Sequence, residues 1–142
     1  AIAAAGAAGI VDFGAALVLS ALNGQGELVG VSIAPGLEMA ARALHDSAAQ
    51  LPEVGLAPPR ATIGRNTVQA VRSGIVLGYA HLVRGLAADM ASELGEPVTI
   101  LGTGDEAGRV LLPATGSSFY PNLTLDGLVI VAEKNAGADA RA

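Results

Sequence analysis

Ile63-Gly64-Arg65-Asn66-Thr67-Val68-Gln69-Ala70-Val71-Arg72-Ser73-Gly74-Ile75 decides how this chain is read. A polar, turn-prone I-G-x-N-T runs straight into a long apolar helix that carries glycines on one face. Asn66 reads as the helix N-cap, because its side-chain oxygen can accept from a first-turn N–H that lacks a helical partner. Gln69, three residues on, completes a capping box. Val68, Val71, Ile75, Tyr79, Leu82, Leu86 and Met90 follow at spacings of three and four, one continuous apolar stripe. Gly95 and then Pro97 end it, so the helix is expected over 66–94.

Outward from this helix, the upstream sequence reads as strands. Ile10 to Phe13 is a short apolar run closed by Gly14, consistent with a buried strand. Ala15 to Leu22 continues extended, Asn23-Gly24-Gln25-Gly26 is a hairpin turn, and Glu27 to Ala34 makes the return strand. Pro35-Gly36 breaks that strand and opens a helix to about Gln50, stopped by Pro52. Three prolines make Leu51 to Arg60 an irregular connection. Downstream, Val98 to Leu101 reads as another buried strand and Gly102-Thr103-Gly104 as a strand-to-helix turn. Leu123 to Asn135 is the last helix, opened by Thr124 or Asn122. Residues 136–142 are expected to be a loose tail.

Composition narrows the function classes. A chain of 142 residues is one domain by length. It is 51% hydrophobic, much of it alanine, and only 15% charged. So few charges suggest an exterior partly covered by a partner, although an alanine-rich domain from a GC-rich genome accounts for part of the effect. Net charge is −5 with Lys134 the single lysine, and no basic stripe marks a nucleic-acid interface. There is no cysteine, so no disulfide framework, which fits the cytoplasm. His45 and His81, the only histidines, have no metal-ligand spacing, which argues against a zinc site. The segment Ala1–Gly9 has neither an initiator Met nor a basic stretch, so no signal peptide is expected, and Asp12 interrupts the apolar run too early for a membrane span. The segment reads either as a helix behind an upstream domain or, the favoured reading, as the start of a fragment.

Five motifs stand in a fixed order: Val11-Asp12-Phe13-Gly14, Ile33-Ala34-Pro35-Gly36-Leu37, Ile63-Gly64-Arg65-Asn66-Thr67, Gly102-Thr103-Gly104 and Leu123-Thr124-Leu125-Asp126-Gly127-Leu128. Each is weak singly. Together, from Ile10 to Val131, they resemble the C-terminal half of a type III pantothenate kinase, of the acetate kinase/sugar kinase/actin superfamily. The resemblance implies an α/β fold: a ribonuclease-H-like half-domain over residues 10–135, in which three antiparallel strands open a mixed sheet with flanking helices. The family's N-terminal half is not matched by any part of the chain.

The resemblance also implies roles. Asp12 matches the Asp of a D-x-G-T phosphate turn, associated with a monovalent cation (K⁺ or NH₄⁺). Gly14 and Ala15 match its nucleotide-contacting residues, although Ala15 stands where the family has Thr and so lacks the hydroxyl donor. Thr103 and Gly104 match the adenosine-binding T-G-G turn, whose last Gly is here Asp105. Asp105 adds a carboxylate near the phosphates, or simply starts a helix, where a carboxylate is favoured. Thr67 matches the residue that contacts pantothenate in the neighbouring subunit's site. Capping alone would also account for Asn66 and Thr67. Val31 departs from the family's paired glycines before I-A-P-G. Gly74 and Gly78, one turn apart, fit either a dimer interface or tight packing within one subunit; Arg72, Arg84, His45 and His81 read as surface or interface residues.

Neither D-x-G-N-T nor G-x-D-R, which carries the family's catalytic Asp, occurs in these residues, so none is assigned a catalytic role. The implied function is phosphorylation of pantothenate with ATP and Mg²⁺, with this chain supplying the C-terminal domain and inactive by itself. The alternative is a non-catalytic paralogue or subunit that dimerises and completes a partner's site. Expected partners are pantothenate and a second copy or a paralogous kinase subunit, with no nucleic acid and no membrane.

Overall fold

Val11 and Phe13 leave strand β1 (Ala8–Phe13) on one side and Asp12 leaves it on the other, and this alternation sets the two faces of the sheet. The computed structural model describes residues 6–48, 50–115 and 117–139. The elements run β1, β2 (Ala16–Leu22), β3 (Leu28–Pro35), α1 (Leu37–Ser47), α2 (Thr67–Leu94), β4 (Thr99–Gly104), α3 (Glu106–Thr115), β5 (Ser118–Phe119) and α4 (Leu123–Asp139). The sheet order is β3-β2-β1-β4-β5. β1, β2 and β3 pair antiparallel, and β4 and β5 join in parallel. This is the mixed α/β half-domain expected from the sequence.

The hairpin between β2 and β3 is built by Asn23, whose side-chain oxygen accepts from the N–H groups of Gln25 (3.1 Å) and Glu27 (2.9 Å). A carboxylate oxygen of Glu96 accepts from Gly24 N–H at 2.9 Å and ties this hairpin to the link between α2 and β4. The core lies on one face of the sheet. Val11 and Phe13 of β1 and Leu17 and Leu19 of β2 meet Leu37 of α1, Val76, Ala80 and Val83 of α2, and Leu111 and Leu112 of α3. On the opposite face the edge strand β3 leaves Val31 and Ile33 52% and 69% exposed.

Several boundaries differ from expectation, each for a physical reason. β1 begins at Ala8 because its ladders to Leu22 and Thr99 extend that far. The chain after Leu101 is not yet a turn: Gly102, Thr103 and Gly104 pair in register with Val11, Asp12 and Phe13, so β4 continues to Gly104. α1 stops at Ser47 rather than near Gln50; Leu51 N–H donates to Ala48 O at 2.7 Å and forms a turn instead. α4 continues through residues 136–139, where helix-favouring alanine keeps it going, and residues 140–142 lie outside those described. Residues 1–5 of the N-terminal segment lie outside them too.

Helix α2 is capped as read, with Gln69 N–H donating to Asn66 Oδ1 at 2.9 Å. The return arm of the box reaches one residue further: Gln69 Oε1 accepts from Arg65 N–H at 3.0 Å. Gly95 closes the helix in the left-handed region at φ 70°. The buried seam of α2 is Ser73, Val76, Ala80 and Val83, between the positions of the apolar stripe; the last three face the core and the Ser73 hydroxyl donates to Thr62 O at 2.5 Å, while Tyr79, Leu82, Leu86 and Met90 flank it half-buried. The connection over 51–60 is irregular but not loose. Val54 is buried, Leu56 packs on the core, and Arg72 Nε donates to Gly55 O at 3.0 Å.

Candidate functional site

Three turns meet at the C-terminal edge of the parallel pair β1 and β4, the edge where open α/β sheets receive ligands. The first is Phe13-Gly14-Ala15, between β1 and β2. The second is Gly104-Asp105, between β4 and α3. The third is Pro35-Gly36, between β3 and α1. Asp105 N–H donates to Phe13 O at 2.7 Å, and Gly36 N–H donates to Ala15 O at 3.1 Å. Side chains have no room between these backbones. A Cβ on Gly104 would lie 2.6 Å from Phe13 C, and Gly104 sits at φ 107°, a conformation L-residues rarely adopt. A Cβ on Gly36 would lie 2.6 Å from Ala15 O and overlap Gly14 O.

The cleft beside these turns has a volume of about 390 Å³ and is lined by Gly14 and Ala15, by Asp105, and by α1 through Glu38, Met39, Arg42, Ala43 and Asp46. Glu38, Arg42 and Asp46 recur every four residues and therefore share one face of α1. That spacing was visible in the sequence and its meaning was not, because nothing local says which way an isolated charged face points. Three carboxylates against one guanidinium give the cleft a negative lining. Asp105 immediately precedes α3, so a helix does start there.

Asp12 and Thr103 are brought together elsewhere. They are register partners on β1 and β4 and lie on the face away from the core, with Asp12 exposed and Thr103 only 3% exposed. Neither lines the cleft, so the predicted residues divide between the cleft (Gly14, Ala15), its rim (Gly104) and the far face of the sheet (Asp12, Thr103). Among the described residues, no group of three or more His, Cys, Asp or Glu side chains is placed to hold a metal ion.

Thr67 stands apart from both groups, in the exposed first turn of α2. First-turn N–H groups have no helical acceptor and suit a polar or anionic ligand. Gly64 packs against the α2 backbone with no space for a side chain; its Cβ would lie 2.6 Å from Gln69 C. A separate cavity of about 480 Å³ adjoins this turn, lined by residues 57–61, Ile63, Gln69 and Arg72. Tyr79 of α2 donates its hydroxyl to Pro35 O at 2.8 Å, next to Gly36, and burial raises the phenol pKa above its ordinary value. His45 and His81 are exposed, as read; Arg84 lies 2.8 Å from His81 Nδ1. Gly74 and Gly78 are exposed with open space where a Cβ would stand, whereas Leu82 packs on the chain's own core.

Comparison with known proteins places these features in a family. The profile of the family described as type III pantothenate kinase matches residues 1–89. Curated type III pantothenate kinases match over nearly the whole chain. That of Acidiphilium cryptum is 42% identical over 130 residues, 89% of this chain and 48% of the relative. That of Streptomyces avermitilis is 45% identical over 134 residues, 92% and 51% respectively. The chain therefore spans about half the length of the relatives it matches. The crystal structure of a Campylobacter jejuni protein assigned to the Baf family of transcriptional activators superimposes with a TM-score of 0.68 over 94% of this chain and 61% of that one, at 17% identity. At that identity the likeness speaks for the fold.

The convergence of the three turns generates one prediction. Gly36→Ala and Gly104→Ala will each destabilise the folded chain by roughly 1–3 kcal/mol, the range for a forced backbone shift or a residue held at positive φ. Gly30→Ala, with open space at its Cβ inside β3, will be neutral or slightly stabilising because glycine within a strand costs backbone entropy. Urea unfolding with unchanged slope measures all three. Gly36→Ala and Gly104→Ala proteins as stable as the unsubstituted chain contradict the geometry.

Proposed function

The chain belongs to the type III pantothenate kinase family, and we propose that it supplies the C-terminal half of a cytoplasmic enzyme that transfers phosphate from ATP to pantothenate, in coenzyme A synthesis. The observation that carries this reading is the 42–45% identity to relatives of that name over about nine-tenths of the chain, joined to a cleft lined by the strand-end residues Gly14, Ala15 and Asp105.

In phosphoryl transfer the protein mainly positions the reactants and stabilises charge. The backbone of Gly14 and Ala15 forms the floor on which phosphates would lie. The turn at Gly104 borders the adenosine side. Both turns keep their shape through backbone hydrogen bonds, so the floor is set before a ligand arrives. Mg²⁺, when bound with ATP, neutralises phosphate charge. Asp12 is a single exposed carboxylate beside Thr103, a donor set better suited to a monovalent cation sharing ligands with backbone oxygens than to the strict octahedron of Mg²⁺. Thr67, far from this floor in sequence and placed in a different turn, fits a role in holding pantothenate in the site of a second copy.

A second reading has its own observation. Both family departures beside the phosphate floor, Ala15 and Asp105, line the cleft. One lacks a hydroxyl donor worth about 0.5–1.5 kcal/mol, and the other adds a carboxylate where phosphates would lie, among Glu38 and Asp46. A subunit that completes a partner's site and binds ATP poorly itself would show this pattern.

Pantothenate-dependent ADP release separates the readings. This chain alone will give only background. Joined to the N-terminal half of the Acidiphilium cryptum relative, it will turn over. A joined protein that folds and stays silent until Ala15→Thr and Asp105→Gly are introduced establishes the second reading. The double variant will tighten ATP binding roughly tenfold, about 1.4 kcal/mol; unchanged affinity by calorimetry would mean that these positions do not face the nucleotide.

The second copy would meet the chain along the outward face of α2, where Gly74 and Gly78 allow close helix approach. Light scattering at micromolar concentration will report a dimer, and Gly78→Leu will shift it to monomer. A monomer from the outset, or a dimer indifferent to Gly78→Leu, contradicts this interface.

A further inference from the structure

Strand β3 ends the sheet, and nothing in its sequence guards that edge. Leu28-Val29-Gly30-Val31-Ser32-Ile33-Ala34-Pro35 holds no charged residue, and its proline stands at the last position. Edge strands are usually blunted by a lysine, an inward charge or an internal proline, because unpaired N–H and C=O groups recruit another strand. Here Leu28, Val29, Val31 and Ile33 are each more than half exposed.

The ladder to β2 shows which backbone groups are open. Gly36 N–H donates to Ala15 O, and hydrogen-bonded pairs alternate along an antiparallel ladder. Ala34, Ser32 and Gly30 therefore turn their polar backbone groups to β2. Ile33 and Val31 turn theirs to the open edge and their side chains to the face away from the core.

On the core side the edge has a wall. Leu86, Asp89, Met90 and Glu93 of α2, at i, i+3, i+4 and i+7, form one ridge beside β3. A groove of about 370 Å³ runs between ridge and strand, floored by the small residues Ala21, Gly30 and Ser32. Leu86 and Met90 pack on the core, whereas Asp89 and Glu93 are exposed. Among the described residues neither carboxylate is paired with a cation, and the groove lining contains none.

We propose that this groove binds an extended segment of a partner protein, basic at every second residue, as a sixth strand antiparallel to β3. Residues opposite Val31 and Ile33 share their face and are apolar, and their backbone groups make the hydrogen bonds. The alternate residues fall beside Gly30 and Ser32, where small neighbours leave room for a long side chain to reach Asp89 and Glu93. Charge selects this occupant over a second copy. Edge-to-edge pairing of two β3 strands would bring a second Asp89 and Glu93 to the same seam, in a chain of net charge −5 with no cation in β3 to offset them. The proposal does not rest on the kinase reading.

Fluorescence anisotropy tests it, with the full chain by itself and with the chain joined to the half of the Acidiphilium cryptum relative that it does not match. The probe is a labelled peptide of alternating valine and lysine, as long as β3. It will bind both proteins, and the peptide with glutamate in place of lysine will bind roughly tenfold more weakly or not at all. Asp89→Asn with Glu93→Gln will weaken the lysine peptide roughly three- to tenfold, the worth of two exposed ion pairs, with unchanged circular dichroism. Two further peptides leave the protein untouched. N-methylation of the valine amides will abolish binding, and N-methylation of the lysine amides will not. The proposal is overturned by a lysine peptide that neither protein binds, or by binding that survives valine methylation. It is overturned equally if joining the missing half abolishes binding, since that half then covers the edge, or if the chain forms a homodimer that Ile33→Lys dissolves.

Discussion

The backbone of Phe13-Gly14-Ala15 is touched from two sides, and the rest of the functional edge depends on that contact. Asp105 N–H reaches Phe13 O from one side and Gly36 N–H reaches Ala15 O from the other. Each approach is closer than a Cβ permits, so positions 36 and 104 are glycine for the same reason. The contact connects all the layers. Phe13 and Leu17 anchor the turn in the core, β4 enters it through its ladder to β1, and α1 starts directly from Gly36. Tyr79 of α2 holds the neighbouring Pro35. Rigidity at this edge is thus a by-product of packing the core, and the phosphate site proposed there would gain from it because donors set in advance need no reorganisation.

Charge works against that shape. Glu38, Asp46 and Asp105 line the cleft with only Arg42 opposing them. Repulsion of a polyphosphate by these carboxylates would act across a partly open cleft, where water and salt screen it, so under the proposed reading it would weaken binding without forbidding it. A cation carried in with a nucleotide would offset it further. The kinase proposal therefore rests on the identity to the relatives, and the subunit reading on Ala15 and Asp105 in the cleft lining.

Much of this was legible in the sequence, and the limits have physical causes. The first three strands announced themselves through an apolar run closed by Gly14 and an Asn-Gly turn, and the N-cap of α2 through Asn66 and Gln69. Local chemistry decides those features. β4 was read three residues short because Gly102-Thr103-Gly104 has turn composition; pairing with Val11, Asp12 and Phe13 overrides it. The two-residue β5 carries no periodic signal at all. The seam of α2 runs through Ser73 and Ala80, small residues that a search for large apolar side chains passes over. At the site, the family motifs located the strand-end residues but not their orientation. Parity along β1 sends Asp12 to the far face while Gly14 and Ala15 meet the cleft, and the face of α1 bearing Glu38, Arg42 and Asp46 acquires meaning only once α1 is seen beside them.

Native-state hydrogen exchange at Gly36 and Asp105 tests the central claim, that the meeting of the three turns is part of the core rather than a loose surface edge. Their amides are bonded to Ala15 O and Phe13 O. If the account is right, both exchange only through global unfolding, with opening free energies that match the value from urea denaturation. Exchange of either amide through local fluctuation, several kcal/mol below the global value and independent of denaturant, would contradict it.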